Sequence, residues 1–130
     1  MAITHVTAVR NAAADAVVDR IDAGVADANG DLVLMAAGDV EVATLEMANP
    51  AYGDAGAAVA GRADSNAIAD DTNATGGTLA LFKIQDRDNG EVFRGTVTGV
   101  GGGGDIEASS ATVNASDTVQ CTGLNYAAPA

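Results

Sequence analysis

Oxygen ligands crowd one short stretch, DRDNGEV, residues 86–92. Asp86, Asp88 and Asn89 carry the carboxylate and amide oxygens that a hard cation such as Ca²⁺ prefers. A helix–loop–helix calcium site needs such residues at alternate positions, glycine at the sixth and a bidentate glutamate at the twelfth. In this chain the glycine, Gly90, arrives one place early, and the twelfth position from Asp86 is Val97. The flanking segments alternate as strands do. Asn-Gly between two alternating segments signals a hairpin, because both residues tolerate positive φ. The stretch therefore reads as a hairpin corner, with Asp86, Asp88 and Asn89 as the only metal candidates. The reading that uses them is a small Ca- or sugar-binding module.

Other residue types capable of chemistry are sparse. One cysteine, Cys121, allows no intrachain disulfide, and one cysteine with one histidine builds no Cys/His zinc site. His5 has no nucleophile near it in sequence, and Ser65, Ser109, Ser110 and Ser116 lie outside any G-x-S-x-G elbow. Asp70-Asp71 reads as a solvated loop on an acidic chain. Residues 99–104, GVGGGG, formally match G-x-G-x-x-G, but a dinucleotide loop needs a helix after it. DIEASSATV follows instead and has no helical stripe. The tract is expected to be a flexible connector. Cys121 reads as an inert core thiol. Arg62, Arg87 and Arg94 are expected to be satisfied by local carboxylates rather than by an acidic partner. No enzyme and no cofactor is expected.

The elements follow from periodicity. THVTAVRNAAADAVVDRIDAG predicts an amphipathic helix over about 4–22, with Thr4 as N-cap, Gly24 past its end, and Val6, Val9, Ala13, Val17 and Ile21 as its apolar stripe. That stripe must cover a sheet, another helix or a neighbouring subunit. DLVLMAA (31–37) and VEVATLEM (40–47) predict a hairpin around Gly38-Asp39. Residues 48–56 read as a loop, and 57–69 as one bent or two short strands. TLALFKIQD (78–86) and EVFRGTVTGV (91–100) alternate most clearly, with Phe82 and Ile84 sharing a face. DIEASSATV (105–113) is a weaker strand. TVQCTGLNY (118–126) predicts a closing strand with Val119 and Cys121 inward. Short strands at this spacing predict a mainly β chain, a β-sandwich (Ig-like or jelly-roll-like) over about 31–126 behind one N-terminal amphipathic α-helix, forming one domain over 1–130.

Composition narrows the function classes. Eighteen Asp and Glu against six Lys and Arg give a formal net charge of −12. That balance opposes nucleic acid, where cations must replace condensed counterions, and anionic membrane surfaces. No apolar run is long enough to span a bilayer, and MAITHVTAVR lacks the basic and apolar regions of a signal peptide. Aromatics make up 3 %, with no Trp, so the core leans on Val, Leu and Ile. A core that thin expects a partner surface.

Three stretches carry a resemblance. They are the opening THVTAVRNAAADAVVDRIDAG, the centre ATLEMANPAYGDAG with ADSNAIADDTNATGGTLALFKIQDRDNGEVFRGTV, and the ending DIEASSATVNASDTVQCTGLNYAAPA. Together they resemble small tailed-bacteriophage virion proteins of the capsid decoration, or cement, type. Those proteins open with an amphipathic helix, continue through an NPAFG-like segment and a D-x-DG hairpin, and close on a GDTV-like strand. The chain departs in its longer Gly tract and in having no lysine beyond Lys83. The resemblance implies a non-catalytic protein made in the host cytoplasm and placed on the outer capsid surface of the virion. It implies two partners, the major capsid protein and itself as a homotrimer. It implies no nucleic acid and no membrane. The alternative within virions is a tail, neck or fibre-associated β-sandwich. Termini and loops are where docking arms lie. The expected contact residues are therefore Met1, Ile3 and His5, Pro50 and Tyr52, and Tyr126 and Pro129.

Overall fold

The computed structural model describes residues 3–128, so Met1 and Pro129 lie outside the described residues. An Ala-rich run, good helix former, makes α1, Thr7–Val18, which tightens into a 3-10 turn over Asp19–Asp22. The helix starts later than its periodicity predicts. Thr4 does not cap it; Val6 occupies that position in an extended conformation (φ −65°, ψ 157°) with no side-chain cap. Gly24 does follow the helical segment, at φ +114°.

Nine strands follow: β1 Asp31–Ala36, β2 Val40–Glu46, β3 Arg62–Asp64, β4 Gly77–Thr78, β5 Leu81–Gln85, β6 Glu91–Gly99, β7 Ile106–Ala108, β8 Thr112–Val113 and β9 Asn125–Ala127. Five form the main sheet in the order β2-β1-β5-β6-β7. The expected mainly β chain with one N-terminal helix is what the structure shows, in a sandwich-like arrangement. Both strongly alternating hairpins, β1–β2 and β5–β6, form antiparallel pairs. One face of the sheet presents Leu32 and Leu34 of β1, Ala43 and Leu45 of β2, and Phe82 and Ile84 of β5, in register. Fully burying an aliphatic side chain such as Leu32, Leu45 or Ile84 stabilises by about 1.5–3 kcal/mol. Phe82 faces Gly95 of β6, where a Cβ would stand 2.5 Å from the ring. Only glycine lets the ring lie across that strand.

A second, less regular layer covers this face. β3 pairs with β9, and Tyr52 bridges to Ser65 beyond the end of β3. β4 pairs with β8. The helix lies against β3 and β9. Ala14, Val18 and Ile21 join a single core cluster that runs on to Ala128. The helical stripe is thus rotated from its predicted phase: Val6 and Val9 are exposed, while Ala14 and Val18 are buried. The reason lies in the polar residues. Asn11, Asp15 and Asp22 turn inward and accept the N–H groups of Gly61 (2.7 Å), Ala55 (2.7 Å) and Ala51 (2.9 Å). Part-buried loop amides need acceptors, and the helix provides them.

Two further expectations are corrected. Residues 118–124 form no strand; only Val119 bridges, to Asp71, before β9 begins at Asn125. The Gly tract is a folded turn, not a flexible connector. β6 and β7 run parallel, with Val97 opposite Ile106, although parallel neighbours ordinarily need a dozen or more connecting residues. Glycine makes the short return possible. Gly101 and Gly103 take φ +82° and +78°, and Cβ atoms on Gly102 and Gly104 would come within 2.7 and 2.9 Å of the Thr98 side chain.

The outer edge of β2 is covered. Thr44 N–H donates to Asp71 (2.9 Å), Val42 C=O accepts from Thr75 and Gly76 (2.9 and 3.2 Å), and Glu46 C=O accepts from Ala69 (2.8 Å). A sheet edge left open invites pairing with another chain; segment 69–76 closes this one. No described helix is long and apolar enough to cross a membrane.

Candidate functional site

The oxygen-rich stretch forms a hairpin corner between β5 and β6. Asn89 N–H closes the turn on Asp86 C=O at 3.0 Å, and Asn89 takes φ +63°. Gly90 does not take a positive φ, so the corner is a turn followed by one left-handed residue rather than a two-residue Asn-Gly loop. Asp86 Oδ1 accepts from Asp88 N–H (3.0 Å) and Gly90 N–H (2.7 Å). Asp88 Oδ1 turns away and accepts from Val25 and Ala26, each at 2.8 Å. These amides hold the Asp88 carboxyl below its ordinary pKa, with Arg87 adding to the effect. Arg87 reinforces the dock by donating from Nε to Asp27 C=O at 2.8 Å. Gly24 admits the contact, since a Cβ there would lie 2.7 Å from Asp88 Cγ. Asp86, Asp88 and Asn89 therefore fasten the corner and the loop after the helix. Their carboxylates converge on backbone donors, not on a common point, and no group of His, Cys, Asp or Glu among the described residues is arranged to hold a metal ion.

The same usage recurs at the Gly tract. Glu107 accepts from Gly101 N–H (3.2 Å) and Gly103 N–H (3.3 Å). Glycine-rich loops present amides that attract anions; here the anion is the chain's own carboxylate. Asp105 accepts from both the Thr96 N–H (2.9 Å) and its hydroxyl (3.0 Å), which lowers its pKa. Composition could count these carboxylates but not assign them to loop amides.

The arginines divide. Arg62 pairs with Asp64 at 2.7 Å, and Arg94 bridges Glu91 (2.6 Å) and Asp39 (3.1 Å). Arg87 meets a carbonyl instead. The Arg94 cluster is exposed, so its contribution to stability is small, although Arg94 lowers the pKa of both carboxylates. One region is electrostatically unfavourable. Asp31 faces Glu46 across the β1–β2 ladder, and Asn29 Nδ2 donates to Glu46. Burial, then the charges of Asp27 and Glu46, push the Asp31 pKa up.

The expected contact residues scatter. Ile3 is 70 % exposed and His5 is exposed, both ahead of α1. Pro50 is exposed and follows a cis peptide bond. Tyr52 is 5 % exposed and belongs to the core; its hydroxyl is buried with no hydrogen-bond partner among the described residues, and burial raises its pKa. Tyr126 is half-buried, its ring 5.2 Å from that of Phe93. Tyr52 bridges to Ser65 and Tyr126 pairs with Ala63, so both adjoin the segment around β3. Ile3 and His5 lie in the non-helical arm before the helix.

Sequence reasoning missed a cleft of about 580 Å³ between β7 and the segment Thr118–Asn125. Leu32, Leu34, Leu79 and Val97 line it, and Cys121 stands in its wall. Cys121 is half-buried, donates weakly to Gly123 C=O at 3.6 Å, and has its pKa raised by burial. The signal was hidden because both walls are irregular or very short segments.

No protein-family model, curated protein or solved structure matches this chain.

Proposed function

We propose that this chain is a non-catalytic structural protein of a tailed-phage virion, a decoration or cement protein. It binds the outer head shell and its own copies and ties neighbouring capsomers together. One observation carries the reading. Ile3, Val6 and Val9 are 70 %, 69 % and 48 % exposed and fall within seven consecutive residues, whereas the other exposed large aliphatics, Val25, Val40, Val59 and Val100, are single and far apart in sequence. Exposed aliphatic side chains this close together in the chain favour a contact with another protein. The resemblance of the opening, centre and closing segments supplies the class of partner, the major capsid protein. The net charge of −12 favours crowding on a particle surface over contact with DNA. The mechanism is multivalent: each copy contributes a modest contact, and self-association as a homotrimer adds avidity.

Copy number in purified particles tests the reading, measured by quantitative mass spectrometry against the major capsid protein. Hundreds of copies in fixed ratio to the shell protein are expected, with imaging to exclude the tail tube. A few tens would move the protein to neck, tail tip or fibres. Absence from particles would overturn the virion reading.

A further inference from the structure

We propose that the cleft between β7 and Thr118–Asn125 receives the N-terminal arm, Ile3–Val6, of a second copy as an added strand. Both walls of the cleft offer backbone. Residues 105–110 line it consecutively, so the edge of β7 faces it, not one alternating set of side chains. β7 is the last strand of the sheet among the described residues, with no described neighbour beyond it. On the opposite wall, residues 117–125 also line the cleft consecutively, and the N–H groups of Gln120, Cys121, Thr122 and Gly123 have no backbone partner among the described residues. An extended segment laid between such walls gains main-chain hydrogen bonds from them, as in strand addition.

The floor and the arm match. Leu34, Leu79 and Val97 present a narrow strip of apolar surface at the floor, with Leu32 buried beneath it. Ile3 is the exposed apolar side chain that an extended arm lays on this floor, with Val6, three places on, turned to the opposite face, and Ile3, Thr4 and His5 make no hydrogen bond among the described residues. Charge favours the pairing as well. Asp105, Glu107 and Asp117 stand at the cleft, and the arm Ile3–Val6 carries no Asp or Glu to oppose them. Ile3 and Val6 stay exposed in their own chain, so the arm does not fill its own cleft.

Cys121 supplies the test, because it already stands in the cleft. Full-length chain carrying Ile3→Cys and Cys121→Ser is mixed with the unaltered chain under mild disulfide-forming conditions, and linked peptides are identified by mass spectrometry. The expected product is a disulfide between position 3 of one copy and Cys121 of the other, absent when the new cysteine is placed at Asn73 instead. Failure to form it overturns the proposal. A second sample, Ile3→Cys alone, distinguishes the occupant: an intrachain link at low concentration means that the arm folds back on its own cleft and overturns the second-copy assignment. Sedimentation gives an independent readout. The unaltered chain self-associates and Ile3→Asp is monomeric; a monomeric unaltered chain at all concentrations overturns the proposal. The inference deepens the self-association within the function proposed above. The two fail separately, since cross-linking in solution needs no capsid and copy counting needs no arm.

Discussion

The Asp88 carboxylate accepts the Val25 N–H at 2.8 Å across 63 positions of sequence, and so ties the β5–β6 corner to the loop after the helix. A carboxyl that is more acidic folded than unfolded adds stability above its unfolded pKa, about 4. That stability is lost as pH falls through the folded value. Asp88, Asp105, Asp39 and Glu91 all have lowered pKa values. The melting temperature is expected to fall below about pH 4. Asp88→Asn lowers the melting temperature at pH 7, flattens part of that fall, and speeds amide exchange at Val25 and Ala26. Thermal melts across pH and hydrogen exchange check both.

Calcium should do nothing. Asp86 and Asp88 each hold two backbone N–H groups, and a cation there would have to displace them. Melting curves with excess Ca²⁺ and with EDTA are expected to superimpose. A rise with Ca²⁺ that Asp86→Ala abolishes would restore the calcium-module reading.

Asp31 has the opposite sign. Its pKa is raised, so the folded state carries a penalty at neutral pH that is relieved as pH falls through the folded value. Opposed like charges on a ladder cost about 0.2–1 kcal/mol. Asp31→Asn is expected to gain about that much at pH 7 and nothing at a pH below the unfolded value of about 3.9. Denaturant unfolding at the two pH values measures the difference.

The glycine turn makes a steric prediction. Gly102→Ala sets a Cβ 2.7 Å from Thr98, and overpacking of that kind costs about 1–3 kcal/mol. Gly99→Ala meets nothing within 4 Å at an ordinary φ and should stay within about 0.5 kcal/mol of the parent chain. Equal losses for both would mean that the turn is not packed as described.

Tyr52 offers a substitution that removes an unmet need. Its buried hydroxyl has no partner among the described residues, so Tyr52→Phe is expected to be neutral or to stabilise by up to about 1 kcal/mol. Asp15→Ala is the contrast. It strands the Ala55 N–H, now held at 2.7 Å, and should cost about 1–3 kcal/mol. Paired denaturant curves decide; a clear loss in Tyr52→Phe would reveal a partner for the hydroxyl.

The legible parts of the fold were those whose cause is local. Alternation and a turn dipeptide determine β1–β2 and β5–β6, and both were readable from residues 31–47 and 78–100. The helix was readable as a helix, but not its buried face. Hydropathy ranks Val6 and Val9 above Asp15, and it contains no term for the Ala55 amide that Asp15 must satisfy. The parallel β6–β7 pair was illegible because it depends on glycines packing against Thr98. The strand expected at 118–126 reduces to one bridge and three terminal residues, because its neighbours are loops that accept it only at Asp71, Ser65 and β3. Of the candidate contact residues, exposure sorted Ile3, His5 and Pro50 from Tyr52, and only three-dimensional packing could do so.

The covered β2 edge has a consequence for assembly. With segment 69–76 sealing one side and β7 ending the other with no described neighbour, the sheet has a closed end and an open end. Growth by strand addition is then directional. Two copies cannot meet edge to edge through their β2 strands. A contact that joins an arm to a cleft is head-to-tail, so it either closes into a ring or continues as a filament. The angle at which α1 launches the arm decides which, and that angle is held by Asn11, Asp15 and Asp22 on the loop beneath. The polar face of one short helix would thereby set the symmetry of any assembly built through the arm.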